Sequence, residues 1–287
     1  MDRSLQDALH SLNRHGNCFG APAKARARWT EQLNFRVRDA RKEAVRYLWF
    51  VGDYASYDPR VTEATCAAAR VFHKAGLDFG ILYDSESNAG NDVRLVSGER
   101  LYETLRDKNL KAFAKARFDE IVTTDPHSFQ VLRHEYAEWN GGLPVRHHTQ
   151  LLSDLISGGE LPLPRKLNMA VTYHDPCYLG RYNAIFGAPR HVIAALGLRL
   201  VEMPQNKAFA YCCGGGAGRI WMDDPPVFSE RPAITRVREA ALLKGVRVLV
   251  VVCPKDLVMF QDAIRTLGLD EKLEVRELSE LVEQAME

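Results

Sequence analysis

Four of the chain's six cysteines fall in three short segments: His174-Asp175-Pro176-Cys177, Cys212-Cys213-Gly214-Gly215-Gly216 and Cys253-Pro254-Lys255-Asp256. Soft thiolates of this kind suit an iron–sulfur cluster or zinc. For that chemistry the cysteines must meet in space despite their distance along the chain. Each segment follows an apolar run that predicts a buried strand, at residues 169–173, at 200–203 with a short approach, and at 246–252. The ends of separate parallel strands converge on one edge of their sheet, which is where open α/β sheets place their sites.

Cysteine also serves as a small apolar core residue, but vicinal cysteines followed by three glycines are not a packing pattern. Gly214, Gly215, Gly216 and Gly218 permit positive φ and close backbone approach, so successive N–H groups can point at anionic sulfur. The set Cys177, Cys212-Cys213-Gly214 and Cys253-Pro254 resembles the cysteine-rich CCG domain. That family includes the catalytic subunit of heterodisulfide reductase and cysteine-rich subunits of anaerobic glycerol-3-phosphate, glycolate and lactate dehydrogenases. The words HDPCYLGRYN and CCGGGAGRIWM are most similar to the heterodisulfide reductase (B/D-type) branch, and the resemblance runs from about Tyr47 to the end.

The resemblance implies a 4Fe–4S cluster, cubane or non-cubane, in the second half of the chain. Its ligands would be Cys177, Cys212, Cys213 and Cys253, with Gly214 and Gly215 against the cofactor. The family closes its motif Cys-Pro-x-Cys, whereas Asp256 stands here where the last cysteine belongs. A complete motif supplies five thiols to a non-cubane cluster; four suffice for an ordinary 4Fe–4S cluster. Asp256 is then expected to replace the missing thiolate, to hydrogen-bond a cluster sulfur, or to face solvent at a helix start, where carboxylates are favoured.

The elements that must position these residues alternate strand and helix. Strands are predicted at 45–51, 79–83, 120–124 and 145–147, then at 169–173, 200–203, 246–252 and 273–276. Helices are predicted between them at 61–75, 98–116, 129–139 and 149–156, then at 190–196, 231–244, 256–266 and 278–286. Such alternation implies an α/β fold with mainly parallel sheets. The organisation expected is an N-terminal arm at 1–44, a first CCG-like unit at 45–164 ending in a Gly/Pro linker, and a second, cluster-binding CCG unit at 165–287. The arm is polar and basic, with a turn at residues 17–22 and helical patches on either side, and carries too little apolar surface to fold alone.

The two units read as copies of each other. Asp53 and Asn88 each lie 124 residues before Cys177 and Cys212, and Asp125 and Ser128 each lie 128 before Cys253 and Asp256. The expected fold is therefore two similar Rossmann-like parallel-sheet units related by pseudo-twofold symmetry. In the first copy the cysteine positions hold Asp53, Asn88, Ala89, Asp125 and Ser128. Hard oxygens are poor cluster ligands, so this half is read as having lost its cluster, although with His127 it has the residue types for a hard cation.

Other candidates have a chemical and a structural reading each. His174 is placed to relay protons to thiols or to cap a strand end by hydrogen bonding. Arg181 and Arg219 follow the cysteine segments and suit pairing with cluster charge or an anionic substrate. His147 and His148 point to opposite faces if both lie on a strand, with Thr149 as the cap of a helix beginning at Gln150. Cys66, inside a helix among alanines, reads as core, and Cys18 as a loop cysteine without a ligand role.

With 287 residues, 46% hydrophobic content and a net charge of +1, the chain suits one large or two medium domains and offers no electrostatic case for nucleic acid or membrane binding. No apolar run approaches a membrane span, residues 1–30 lack a secretory core, and the cysteine usage predicts a reducing, cytoplasmic setting. Three functions are compatible with the residues. The first, taken as the prediction, is an iron–sulfur electron-transfer subunit, with a catalytic role left open, of a heterodisulfide-reductase-like complex acting on disulfide, persulfide or related sulfur substrates. No C-x2-C-x2-C run occurs, so the ferredoxin-type iron–sulfur partner and the flavin-containing subunit that the resemblance implies are expected on other chains. The alternatives are a zinc-stabilised structural subunit and a metal-free thiol–disulfide enzyme using Cys212 and Cys213.

Overall fold

The computed structural model describes residues 2–97, 99–139, 141–222 and 230–287. The chain divides into two units, Met1–His148 with Gly216–Asp223, and Thr149–Gly215 with Asp224–Glu287. The first unit is built on a five-stranded sheet: β1 (Arg38–Asp39), β2 (Tyr47–Phe50), β3 (Phe79–Ile81), β4 (Glu120–Thr123) and β5 (Val145–His147). Its order is β1-β3-β2-β4-β5, and every pair is parallel. All four residues of β2 are buried, which is why Tyr-Leu-Trp-Phe shows no polar alternation: helices cover both faces of a parallel sheet. Trp49 sits at the centre, meeting Trp29 and Phe72 edge-on with ring centroids 5.2 Å away in each case.

The helices of the first unit are α1 (Arg3–His15), α2 (Asp53–Tyr57), α3 (Thr62–Lys74), α4 (Asn91–Ser97), α5 (Glu99–Phe113) and α6 (Pro126–His134); α7 (His148–Ser157) leads into the second unit. The N-terminal residues are part of this fold: α1 buries Leu5, Ala8, Leu9 and Leu12. The 3-10 turn Arg219–Trp221 packs against it.

The second unit repeats the plan with β6 (Ala170–Tyr173), β7 (Arg199–Leu200), β8 (Val248–Val251) and β9 (Glu274–Glu277), in the order β7-β6-β8-β9, again all parallel. Its helices are α8 (Gly187–Ala195), α9 (Pro232–Ala241), α10 (Pro254–Leu267) and α11 (Leu278–Ala285). Matching β6 to β2, β7 to β3, β8 to β4 and β9 to β5 gives the same strand order in both units. The duplication expected from the residue offsets holds at the level of topology.

Several elements depart from expectation for identifiable reasons. The second strand of the second unit ends at Leu200, not at residue 203; its last pairing is Val201 N–H to Val171 O, just ahead of Pro204. Helix α6 starts three residues early because Asp125 caps it, accepting from the N–H of His127 and Ser128. Thr149 is not a cap: α7 already begins at His148. The rings of His147 and His148 consequently meet, centroids 4.4 Å apart, and burial drives the His148 pKa down to about 3, so it is neutral. Helix α1 is the helical patch expected ahead of the turn at residues 17–22, whereas α2, α4 and the short β1 have no counterpart among the elements expected from sequence. Gly98, where the longest expected helix begins, lies outside the described residues. Among the described residues no helix is long and apolar enough to cross a membrane.

One buried carboxyl in the second unit yields a pH prediction. Glu277 caps α11 in a reciprocal box with Glu280, and burial lifts its pKa to about 7 against the pull of the Ser279 and Leu278 donors. The folded chain then keeps a proton that the unfolded chain releases near its ordinary value of 4.5. Stability is expected to fall as pH rises from the unfolded to the folded pKa. Glu277→Gln retains the capping oxygen and should flatten that slope, with a gain of roughly 3 kcal/mol above neutrality. Denaturant melts at several pH values test this; an unchanged slope in the variant rules it out.

Candidate metal centre

Strands β6 and β8 are neighbours, with Tyr173 opposite Val250. The chain leaves them side by side at their C-terminal ends, into His174–Cys177 on one and Cys253 on the other. The first exit turns at Pro176, whose carbonyl accepts from Gly180 N at 2.8 Å. Asp175 anchors two loops at once. It takes a bidentate pair from Arg190 (2.7 and 2.9 Å) and also accepts from Lys207 N at 2.7 Å, in the segment leading to Cys212. Arg181 makes a second tie between these loops, donating to the carbonyls of Ala208 and Ala210. Its guanidinium thus fastens the loops. Arg219 clusters with the first unit instead, where its Nη1 contacts Met222 Sδ at 3.5 Å.

The thiols converge. Cys212 is hydrogen-bonded by the thiols of Cys177 and Cys213, which lowers its pKa and raises theirs; burial, Asp256 and Cys253 push Cys177 and Cys213 up further. Cys253 is buried at the N-cap of α10, where the helix dipole favours an anionic sulfur. Backbone donors reach two sulfurs: Gly214 N to Cys212 Sγ and Gly215 N to Cys213 Sγ, each 3.3 Å. Gly214 adopts φ +84°, and a Cβ there would stand 3.0 Å from Pro232. This turn, which aims both N–H groups at sulfur, therefore demands glycine. No disulfide joins the cysteines, and the set has an open side, with Cys177 and Cys212 half-buried and Cys213 and Cys253 buried.

Behind the thiols lies a buried polar trio. His174 and Asp256 are 1% and 2% exposed, with His174 Nε2 3.6 Å from Asp256 Oδ2. The solvent-facing alternative for Asp256 is thereby removed: the carboxylate is inside, close enough to Cys177 and Cys213 to raise their pKa values. The third member, absent from the sequence-based candidates, is Arg236 on α9. It is fully buried, and its Nε donates to His174 Nδ1 at 3.2 Å. His174 Nε2 and Arg236 Nη2 have no hydrogen-bond partner among the described residues. Two buried donors in need of an acceptor, four converging thiols and amides aimed at sulfur match the requirements of a thiolate-bound, anionic cluster.

The first unit carries no thiols at the corresponding places. Asp53 and Asn88 do come together, Asn88 Nδ2 donating to Asp53 Oδ2 at 2.8 Å. Between them and Glu86 lies the guanidinium of Arg26, bonded at 2.8 Å to Asp53 Oδ1 and to Glu86 Oε1, all three side chains 3% exposed or less. Glu86 also accepts from Val51 N and Gly52 N, and Asp53 from Cys18 N. An arginine thus supplies the positive charge at this strand end, while Asp125 and Ser128 bond to each other as a helix cap. Cys66 is core, fully buried against the Trp29 carbonyl.

Residues 171–261 match the cysteine-rich CCG domain family. The chain thus carries a CCG domain. Its CCG domain spans β6 to α10, and all four converging thiols lie within it. Across its full length the chain is 33% identical to the "probable iron-sulfur-binding oxidoreductase FadF" of Bacillus subtilis and 31% identical to the EtfAB:quinone oxidoreductase of Syntrophomonas wolfei, covering 41% of each. It is 29% identical to one subunit of the dihydromethanophenazine:CoB–CoM heterodisulfide reductase of Methanosarcina barkeri, over 83% of this chain and 58% of that one. The chain therefore spans about two fifths to three fifths of the length of these relatives.

Proposed function

We infer that the CCG domain holds an iron–sulfur cluster on Cys177, Cys212, Cys213 and Cys253 and serves electron transfer in a heterodisulfide-reductase-like assembly. The observation that carries this reading is the convergence of four thiols with backbone and side-chain donors on one strand-end site. When bound, such a cluster supplies one-electron chemistry at sulfur-ligated iron. The residues around it divide the remaining work. The N–H groups of Gly214 and Gly215 offset charge on Cys212 and Cys213. His174 presents an N–H from the closed side. Cys177 and Cys212 form the accessible side, beside the exposed rings of Tyr182, Phe209 and Tyr211, a rim suited to docking an electron-carrying partner.

A ferredoxin-type iron–sulfur module and a flavin-containing subunit fit as partners, and a disulfide, persulfide or related sulfur compound fits as substrate. Similarity to an iron–sulfur oxidoreductase and to a heterodisulfide reductase component supports this assignment.

The ligand set is tested at Asp256. Asp256→Cys completes a five-thiol set and is expected to change the EPR signature, because ligand identity tunes cluster geometry and potential. Asp256→Ala is expected to weaken iron retention, since the buried carboxylate stands among the ligands. If both variants match the wild type in EPR and iron content, Asp256 lies outside the ligand sphere and has no part in holding the cluster.

A further inference from the structure

We propose that Arg236 is a positioning residue for the metal centre: it fixes the orientation of His174 and provides the buried positive charge that sets the reduction potential of the cluster. This rests on the assignment of a cluster to the four thiols.

Arg236 lies on α9 in line with the buried Ala233, Val237 and Ala240, on the face that packs inward. A guanidinium at such a position is costly unless its donors are used. Nη1 donates to Gln205 O and to Glu239 Oε2, both at 2.6 Å, and Nε donates to His174 Nδ1. Nη2 is the remaining buried nitrogen without a partner among the described residues.

The bond from Nε decides the state of His174. A guanidinium only donates, so Nδ1 must present its lone pair, and the ring proton sits on Nε2. Phe260 clamps the ring edge-on, centroids 4.7 Å apart. His174 is thereby a fixed donor at Nε2, on the side of Asp256 and the thiols. It is not a group that shuttles protons, because a second proton on Nδ1 would face the guanidinium.

Charge supplies the second half of the role. Asp175 is already matched by the bidentate pair from Arg190. Glu239 pairs with Arg236 at 2.6 Å from the more exposed position, 13% against 0%, so its charge is the better screened of the two, and the buried guanidinium bears on the rest of the site through a water-poor interior. A nearby cation favours the more negative, reduced form of a cluster.

The test is an EPR-monitored redox titration of the iron-loaded protein and its Arg236 variants. Arg236→Met keeps the chain length and removes the charge. It should lower the reduced-to-oxidised ratio at fixed potential about tenfold, equivalent to about 59 mV for one electron. Arg236→Lys keeps the charge and should stay much nearer the wild type. A scaffolding role alone predicts that Met and Lys shift thermal stability but leave the potential equal, and that result overturns the proposal. Should Arg236→Met fail to fold, nitrogen NMR of His174 in the unmodified protein decides: an Nε2–H tautomer supports the proposal, and a proton on Nδ1 overturns it. A wild type that binds no iron overturns the cluster assignment itself, whereas an iron-loaded protein indifferent to Arg236→Met overturns this inference alone.

Discussion

Cys212→Ser is expected to strip the second unit of its iron. Cys212 is the central sulfur of the group, bonded by the thiols on either side and by the Gly214 amide. Serine keeps the size of the side chain but offers a hard, protonated oxygen in place of a soft thiolate. Loss of even an outer partner costs metal affinity on the order of 10- to 100-fold, so loss of a central ligand should exceed that. Iron per chain after desalting, with the absorbance of the protein, measures the effect. Cys18→Ser and Cys66→Ser are the controls: Cys66 is core, and Cys18 belongs to the first unit. Iron retention in Cys212→Ser equal to that of the controls would remove this residue from the site.

The second large effect lies in the first unit. Arg26→Met is expected to destabilise that unit by about 3–5 kcal/mol, the cost of leaving buried charges without their partner. Asp53 and Glu86 would then face each other across the space of the lost guanidinium, with only amide donors for support. Acid should relieve the defect, since carboxylates that take up protons no longer repel. The triple variant Arg26→Met/Asp53→Asn/Glu86→Gln should recover much of the loss, because it removes all three charges together. Urea denaturation of the set decides the matter. A single Arg26→Met variant as stable as the wild type would mean that the trio contributes little.

The sequence is most legible where one physical demand dominates a run of residues. Strands buried on both faces, such as Tyr47–Phe50 and Val248–Val251, must be continuously apolar, and that run marks them. The offsets between Asp53 and Cys177 and between Asn88 and Cys212 expose the repeated topology without any knowledge of structure. The thiols and their glycines are legible because the chemistry of sulfur ligation restricts residue type.

Single long-range contacts are not legible. Arg26 stands in a polar segment with no periodicity to mark it, and only the folded chain brings it to Asp53 and Glu86. Arg236 leaves a faint signal, a charged residue in line with Ala233, Val237 and Ala240, but neighbouring Arg231 and Arg238 make the helix read as solvent-facing. The placement of Asp256 does not follow from the first turn of a helix alone, since capping and ligation ask for the same residue there. The two-residue β1 has no pattern at all; it exists because β3 offers an edge to pair with.

Metal analysis decides whether the second unit is an iron–sulfur site. Protein isolated without oxygen should be assayed for iron, acid-labile sulfide and zinc, and examined by EPR after reduction. The expected result is iron and sulfide in equal amounts, about four of each per chain, with little zinc. About one zinc per chain without sulfide would contradict the account and make the four thiols a structural zinc site.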